Sequence, residues 1–158
     1  LVTPEQARAY ARGPAGWRTR ELTGEEASAA AAGRPPGASP ERDRPAEDPS
    51  LGGDLINLFN LRAAAWLDPL PEPADPARNE APLHIHFWDG AGTHQWILLY
   101  PDDPEALTRF LSPPAGQSPA LAAPPELDAR AVGSAHPGRP MRIESSAAFN
   151  WLLRAARP

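Results

Sequence analysis

The stretch LHIHFWDGAGTHQWILLY, residues 83–100, holds the densest apolar run of the sequence, with three of its four histidines and two of its five tryptophans. Two runs rich in β-branched and aromatic residues flank the segment Asp89-Gly90-Ala91-Gly92. Glycine supplies the positive φ that tight connections between strands require. The pattern predicts a β-hairpin, and the rest of the chain is thinner in hydrophobic content.

A four-residue loop from Asp89 to Gly92 would pair Trp88 with Thr93 and Ile85 with Trp96. Strand alternation then divides the side chains between two faces. The more apolar face, which we expect to pack on helices, consists of Leu83, Ile85, Phe87, His94, Trp96, Leu98 and Tyr100. The mixed face consists of His84, His86, Trp88, Thr93, Gln95, Ile97 and Leu99. In this register His94 is a core residue, apart from the other histidines.

His84 and His86 form an H-x-H pair, whose side chains share one strand face and lie close enough to bind one metal ion. A complete site needs a third or fourth ligand, and imidazole with carboxylate suits zinc or iron. The predicted metal set is His84, His86 and Asp89, with His94 as an alternative third ligand. The competing interpretation is that both histidines are ordinary half-exposed strand residues and that the chain has no cofactor.

The composition bounds the function. With 158 residues there is room for one small domain, and 22 prolines and 12 glycines leave little material for its core. All 15 basic residues are arginine, which is typical of a high-GC bacterium, and they alternate with acids in a chain of net charge −5. The sequence has no stripe of basic residues that would indicate nucleic-acid binding. It also has no apolar run long enough for membrane insertion. The absence of cysteine excludes disulfides and thiolate sites.

The sequence does not determine a compartment. No export signal is visible, which favours the cytoplasm. The start at Leu1 without methionine is also compatible with a signal that has been cleaved.

Capping patterns predict five helices, over residues 3–12, 24–33, 54–67, 103–111 and 145–157. Residues 33–53 combine proline, glycine and mixed charge, which is typical of a linker. Such a segment is ordered only where it lies on a partner or on its own domain. Residues 127–132 and 141–143 are strand candidates that would extend the hairpin to a three- or four-stranded sheet.

We therefore predict an α+β domain over residues 50–158, in which a small antiparallel sheet built on the 83–100 hairpin packs against about three helices. Residues 1–49 form an extended, proline-rich N-terminal arm with two short helices. A small core and many prolines imply that outside contacts supply part of the ordering free energy. The favoured function is a non-catalytic accessory or structural subunit that binds other protein subunits of a larger assembly, through its proline-rich segments and its hairpin.

Two other functions are compatible with the sequence. One is a small metal-binding protein or metal-dependent hydrolase that uses the H-x-H pair and a divalent metal such as zinc. The other is a binding module of the chaperone, immunity or adaptor type. No catalytic motif identifies an enzyme. The tryptophans expected to contact a protein partner are Trp88, Trp17, Trp66 and Trp151.

Overall fold

The computed structural model describes residues 7–14, 16–46, 63–78, 80–111, 125–144, 149–150 and 153. These residues form two antiparallel sheets and two α-helices, which confirms a mixed α/β chain. The smaller sheet contains β1 (Arg8–Gly13), β2 (Gly16–Glu21) and β3 (Arg44–Pro45), in that order. The larger sheet contains β4 (Ala65–Trp66), β5 (Leu83–Trp88), β6 (His94–Pro101), β7 (Ala129–Gly133) and β8 (Met141–Ile143), in the order β4-β8-β7-β6-β5.

The predicted hairpin is confirmed as β5 and β6, but its predicted register is wrong by one residue. Trp88 pairs with His94, and Ile85 pairs with Ile97. The cause lies in the turn, where the backbone N–H of Asp89 donates to the carbonyl of Thr93 over 3.3 Å and Gly92 has a φ of +82°. The loop therefore has three residues with a left-handed glycine in its last position, rather than four.

This difference moves every side chain of β6 to the opposite face from the one predicted. Leu83, Ile85 and Phe87 now share their face with Ile97 and Leu99. The histidine face, as we call the other side of the hairpin, consists of His84, His86, Trp88, His94, Trp96 and Leu98. All three histidines of the hairpin therefore lie on one face.

The main core lies on the Leu83 side of the larger sheet. The helix α2 (Pro104–Leu111) follows β6 and buries its apolar side chains there. Phe149 and Leu153, which are helical and fully buried, pack into the same cluster. The remaining members of the buried cluster are Leu83, Ile85, Leu99, Leu107, Phe110, Leu111, Leu127, Ala129, Ala131 and Ile143. The predicted strands near residues 127–132 and 141–143 are confirmed as β7 and β8. With the hairpin they give the expected four strands, and β4 adds a fifth that was not predicted.

The N-terminal region is more sheet-like than predicted. Residues 8–13 form β1 rather than part of a helix over residues 3–12, because they pair along their whole length with β2, from Arg8 with Glu21 to Gly13 with Gly16. Tyr10 and Trp17 share one face of this sheet and pack against the main core. The pairing with β2 and this burial outweigh the capping pattern at residues 3–6, which lie outside the described residues.

The second predicted helix is confirmed as α1 (Gly24–Ala31). Thr23 and Glu26 form the capping box that the sequence indicates, with hydrogen bonds of 3.2 and 2.8 Å. Gly33 ends the helix with a φ of +84°. The N–H of Gly33 donates to the carbonyl of Ala30, and the N–H of Arg34 donates to the carbonyl of Ala29. This pair of bonds is a Schellman motif, in which glycine adopts the left-handed conformation without strain.

The linker segment lies on the chain's own domain as far as it is described. Arg44 and Pro45 form β3 beside β2, and the N–H of Ala46 donates to Trp17. Arg20 anchors the preceding segment, because it is almost fully buried, forms ion pairs with Glu26 at 3.3 Å and Asp43 at 3.5 Å, and donates to the carbonyl of Gly37. Residues 47–53 are outside the described part of the chain.

The predicted set of about three helices around the sheet is not matched. Of the helix expected over residues 54–67, the first nine residues lie outside the described ranges, and the end is β4, which pairs with β8. Of the helix expected over residues 145–157, only residues 149, 150 and 153 are described. No helix among the described residues has the length and apolar character that a membrane span requires.

Candidate functional site

The histidine face is mostly buried, although its middle is polar. His84 and His86 are each only 9% exposed, and Leu98 beside them is fully buried. Burial lowers the pKa of all three histidines of this face, and it lowers the pKa of His86 to about 3. The neighbouring His94 and His84 lower the pKa of His86 further, because a second positive charge there would be repelled. His86 is therefore a neutral imidazole at ordinary pH.

His86 and His94 form a hydrogen-bonded pair. Nδ1 of His86 lies 3.0 Å from Nε2 of His94, while the ring centroids are 5.3 Å apart and the ring planes differ by 9°. The centroid separation exceeds the nitrogen separation by roughly the width of one ring, so the two rings meet edge to edge in one plane. One of the two nitrogens therefore carries a hydrogen and donates it to the lone pair of the other.

The tautomer follows from the second nitrogen of His86. Its Nε2 is buried and has no hydrogen-bond partner among the described residues. A buried N–H without an acceptor is rarer and more costly than a buried lone pair. Hence Nδ1–H of His86 donates to Nε2 of His94, and Nε2 of His86 is a bare lone pair.

Trp88 covers this pair from one side. Its ring centroid lies 4.9 Å from that of His94 and 6.0 Å from that of His86, with nearly parallel planes in both cases. The indole N–H donates to the carbonyl of Gly33 over 3.2 Å, so the end of α1 is tied to the hairpin. The side chain of Trp88 is thus engaged within the chain.

The predicted metal set of His84, His86 and Asp89 stays a prediction. His84 and His86 lie on one face with ring centroids 6.1 Å apart. Oδ1 of Asp89 accepts hydrogen bonds from the N–H groups of Ala91 and Thr93, which lower the pKa of the carboxyl group. Among the residues that the structure describes, no group of three or more histidine or acidic side chains is arranged to hold a metal ion. The in-line bond also places His94 where it orients His86 rather than where it shares a metal with it.

A different surface is more open to a partner. Trp66 is 45% exposed and Leu67 is 37% exposed, and both lie at the edge of the larger sheet in and beside β4. The chain continues outward as Asp68-Pro69-Leu70-Pro71-Glu72-Pro73, and the prolines of this segment are exposed. We call Trp66, Leu67, Pro69, Pro71 and Pro73 the docking strip.

The loop between β7 and β8 holds the docking strip in place. The N–H groups of Leu67, Leu70 and Ala74 donate to the carbonyls of Pro140, Gly138 and Pro137, over 2.9, 2.9 and 2.8 Å. The same loop fixes the ring of Trp66. The guanidinium carbon of Arg139 lies 5.0 Å from the centroid of that ring, and His136 meets it edge-on at 5.3 Å. A partner would therefore bind a Trp66 side chain whose ring is pre-ordered by these two contacts.

The four tryptophans expected to contact a partner do not share one environment in the fold. Trp66 is exposed, Trp17 packs against the core and Trp88 covers the histidine pair. The side chain of Trp151 lies outside the described residues. Sequence reasoning missed Arg139 and His136, because they are about 70 positions away from Trp66 and no local pattern connects the two segments.

Comparison with protein-family models, with curated proteins and with solved structures gives no match to this chain. A function must therefore be argued from the surfaces and side chains themselves.

Proposed function

We propose that the chain is a non-catalytic accessory subunit that binds a larger protein assembly through its docking strip. The observation that carries the proposal is the exposed Trp66–Leu67 pair, which continues into exposed prolines and is held by the β7–β8 loop. Tryptophan is enriched among the residues that dominate protein interfaces. The proposal concerns binding to another protein rather than chemistry on a substrate.

Pre-ordering of the strip supports this proposal. Association costs free energy when loops and side chains lose their freedom. Here the backbone of residues 67–74 is already held by three hydrogen bonds, and Arg139 and His136 already contact the ring of Trp66. Less ordering remains to be done on binding, so a short strip can contribute useful affinity.

The prolines alone have a simpler interpretation. Proline at the edge of a sheet prevents unwanted pairing with other strands, and β4 is an edge strand. That role requires no large apolar side chain in solvent. The neighbouring exposure of Trp66 and Leu67 is the part that edge protection leaves unexplained and that a partner would cover.

The hairpin has the smaller part in this proposal. Its histidine face is largely buried, and Trp88 donates its indole hydrogen bond to Gly33. The docking strip therefore takes the place of the hairpin as the principal contact in the proposal.

The test is native mass spectrometry of the protein purified from its own cells, with Trp66→Ala compared to the wild type. We expect a complex of fixed stoichiometry that Trp66→Ala weakens about tenfold or more, which is the effect of losing an anchor residue. Arg109→Ala is the control, because its side chain is exposed on α2 and is not part of the docking strip, and it should leave the complex intact. A monomeric wild-type protein, or a complex that tolerates Trp66→Ala, would contradict the proposal.

A further inference from the structure

The backbone of the docking strip has few groups left for a partner. Of the eight residues 67–74, Leu67, Leu70 and Ala74 donate their N–H groups inward to the β7–β8 loop. Pro69, Pro71 and Pro73 have no N–H group at all. Of these eight residues, only Asp68 and Glu72 have an N–H group that could donate to a partner. An added strand needs a regular row of donors and acceptors, so a partner cannot dock here by strand addition.

The side chains of the strip have a definite charge pattern. Asp68 and Glu72 are exposed acids between the prolines, and among the described residues neither takes part in an ion pair. The next acid, Asp75, is 3.7 Å from Arg78 and is thereby partly balanced. At the opposite end, Arg139 lies over Trp66. The strip is thus positive at its tryptophan end and negative along its prolines, which gives it a direction.

We infer that the partner is a protein with a groove lined by aromatic rings, which receives Pro69, Pro71 and Pro73, and with Lys or Arg side chains opposite Asp68 and Glu72. This inference rests on the proposed function and specifies its partner. Proline rings on an extended backbone fit slots between aromatic side chains at low entropic cost, because φ is already restricted. The charges orient the segment in the groove, since the reversed direction would place the partner's cations against Arg139.

The experiment starts with the full chain in its own cells. A photo-crosslinking amino acid in place of Leu67 identifies the protein that touches the strip. That protein is then purified, and its Kd is measured for the wild type, for the double variant Asp68→Asn with Glu72→Gln, and for Pro71→Ala. Glu105→Gln is the matched control, because this carboxylate is exposed on α2 and is not part of the strip.

We expect the double variant to weaken binding about three- to tenfold at low salt, which is the range for exposed ion pairs. This difference should shrink as salt is added, because salt screens exposed charges. Pro71→Ala should weaken binding severalfold, and Glu105→Gln should bind like the wild type.

The outcomes separate this inference from the proposed function. A crosslink to a protein whose Kd is unaffected by both the double variant and Pro71→Ala overturns the inference, while the strip remains a contact. Hydrogen-exchange protection of the Asp68 and Glu72 amides in a strand-paired complex also overturns it. A complex that forms without any crosslink at position 67, or no complex at all, overturns the proposed function and the inference with it. Crosslinking to nucleic acid instead of protein does the same.

Discussion

Replacing His86 with phenylalanine tests whether this histidine is a buried neutral base. The pKa of His86 is about 3 in the folded chain, against an ordinary value of 6.5. The folded state therefore binds fewer protons than the unfolded state whenever the pH is between these values. Stability that is present above pH 6.5 is lost as the pH falls towards 3, because the unfolded chain takes up a proton that the folded chain excludes.

The size of the effect follows from these two pKa values. Between pH 7 and pH 4.5, linkage gives a loss of about 2.5 kcal/mol in the free energy of unfolding from His86 alone. Phenylalanine is planar, of similar size and without a titrating group, so His86→Phe should lack this loss. At pH 7 the substitution removes one hydrogen bond to His94 and one buried nitrogen that has no partner in the described part of the chain, so the two proteins should differ by about 1 kcal/mol or less.

The assay is urea unfolding of both proteins at pH 7 and pH 4.5. The carboxyl groups titrate in both proteins, so the comparison of the two pH-dependent losses largely isolates His86. NMR of the histidine rings gives an independent check, since the ring signals of His86 should not shift between pH 7 and pH 4.5. If His86→Phe loses as much stability as the wild type, or if the ring of His86 titrates near pH 6.5, the assignment of a buried neutral His86–His94 pair is refuted.

Three further substitutions test the packing. Gly33→Ala should lower the free energy of unfolding by about 1–2 kcal/mol, because the φ of +84° is strained for alanine and its Cβ would come within 3.0 Å of Nδ1 of His94; Gly90→Ala, which has open space, is the control, and equal losses in urea unfolding would contradict this account. Arg20→Met should cost about 3 kcal/mol in the same assay, since it leaves Asp43 without its buried ion-pair partner, whereas the more exposed Arg42→Met should cost about 1 kcal/mol or less. Leu99→Ala, at a fully buried position of the main core, should cost about 2–5 kcal/mol, and a loss below 1 kcal/mol would contradict the placement of Leu99 in that core.

Local sequence patterns correctly predicted the elements whose hydrogen bonds join residues close together in the chain. The Thr23–Glu26 capping box and the end of α1 at Gly33 depend on hydrogen bonds between residues a few positions apart, and the structure shows both. The prediction of a helix over residues 3–12 is wrong for residues 8–13, because pairing with another strand outweighs the local pattern there. Its cap residues favour a helix locally, but residues 8–13 gain more from pairing with β2 and from placing Tyr10 against the core.

The candidate sites show the same division. The H-x-H pair and the run of prolines after Trp66 are visible in the sequence, but the contact of His86 with His94 depends on whether the hairpin loop has three residues or four. Asp89 decides this, because its carboxylate accepts two backbone N–H groups of the turn while its own N–H closes the pair with Thr93. The contacts of Trp66 with His136 and Arg139 could not be anticipated, since nothing near Trp66 in the sequence indicates them.

The sequence by itself determined the 83–100 hairpin, the capped helix α1, the apolar helix α2 and the positions of the prolines, because each depends on periodicity or on bonds between near neighbours. The tertiary structure alone decided the register of the hairpin, the strand character of β1 and β4, and which of the four tryptophans that the structure describes is exposed. The strand character of β4 and the surroundings of Trp66 depend on β8 and its loop, which are far away in the chain. The hairpin register depends on the turn at Asp89, and β1 depends on pairing with the neighbouring β2. In β1, pairing and burial of a shared face outweigh the small free energies of local preference.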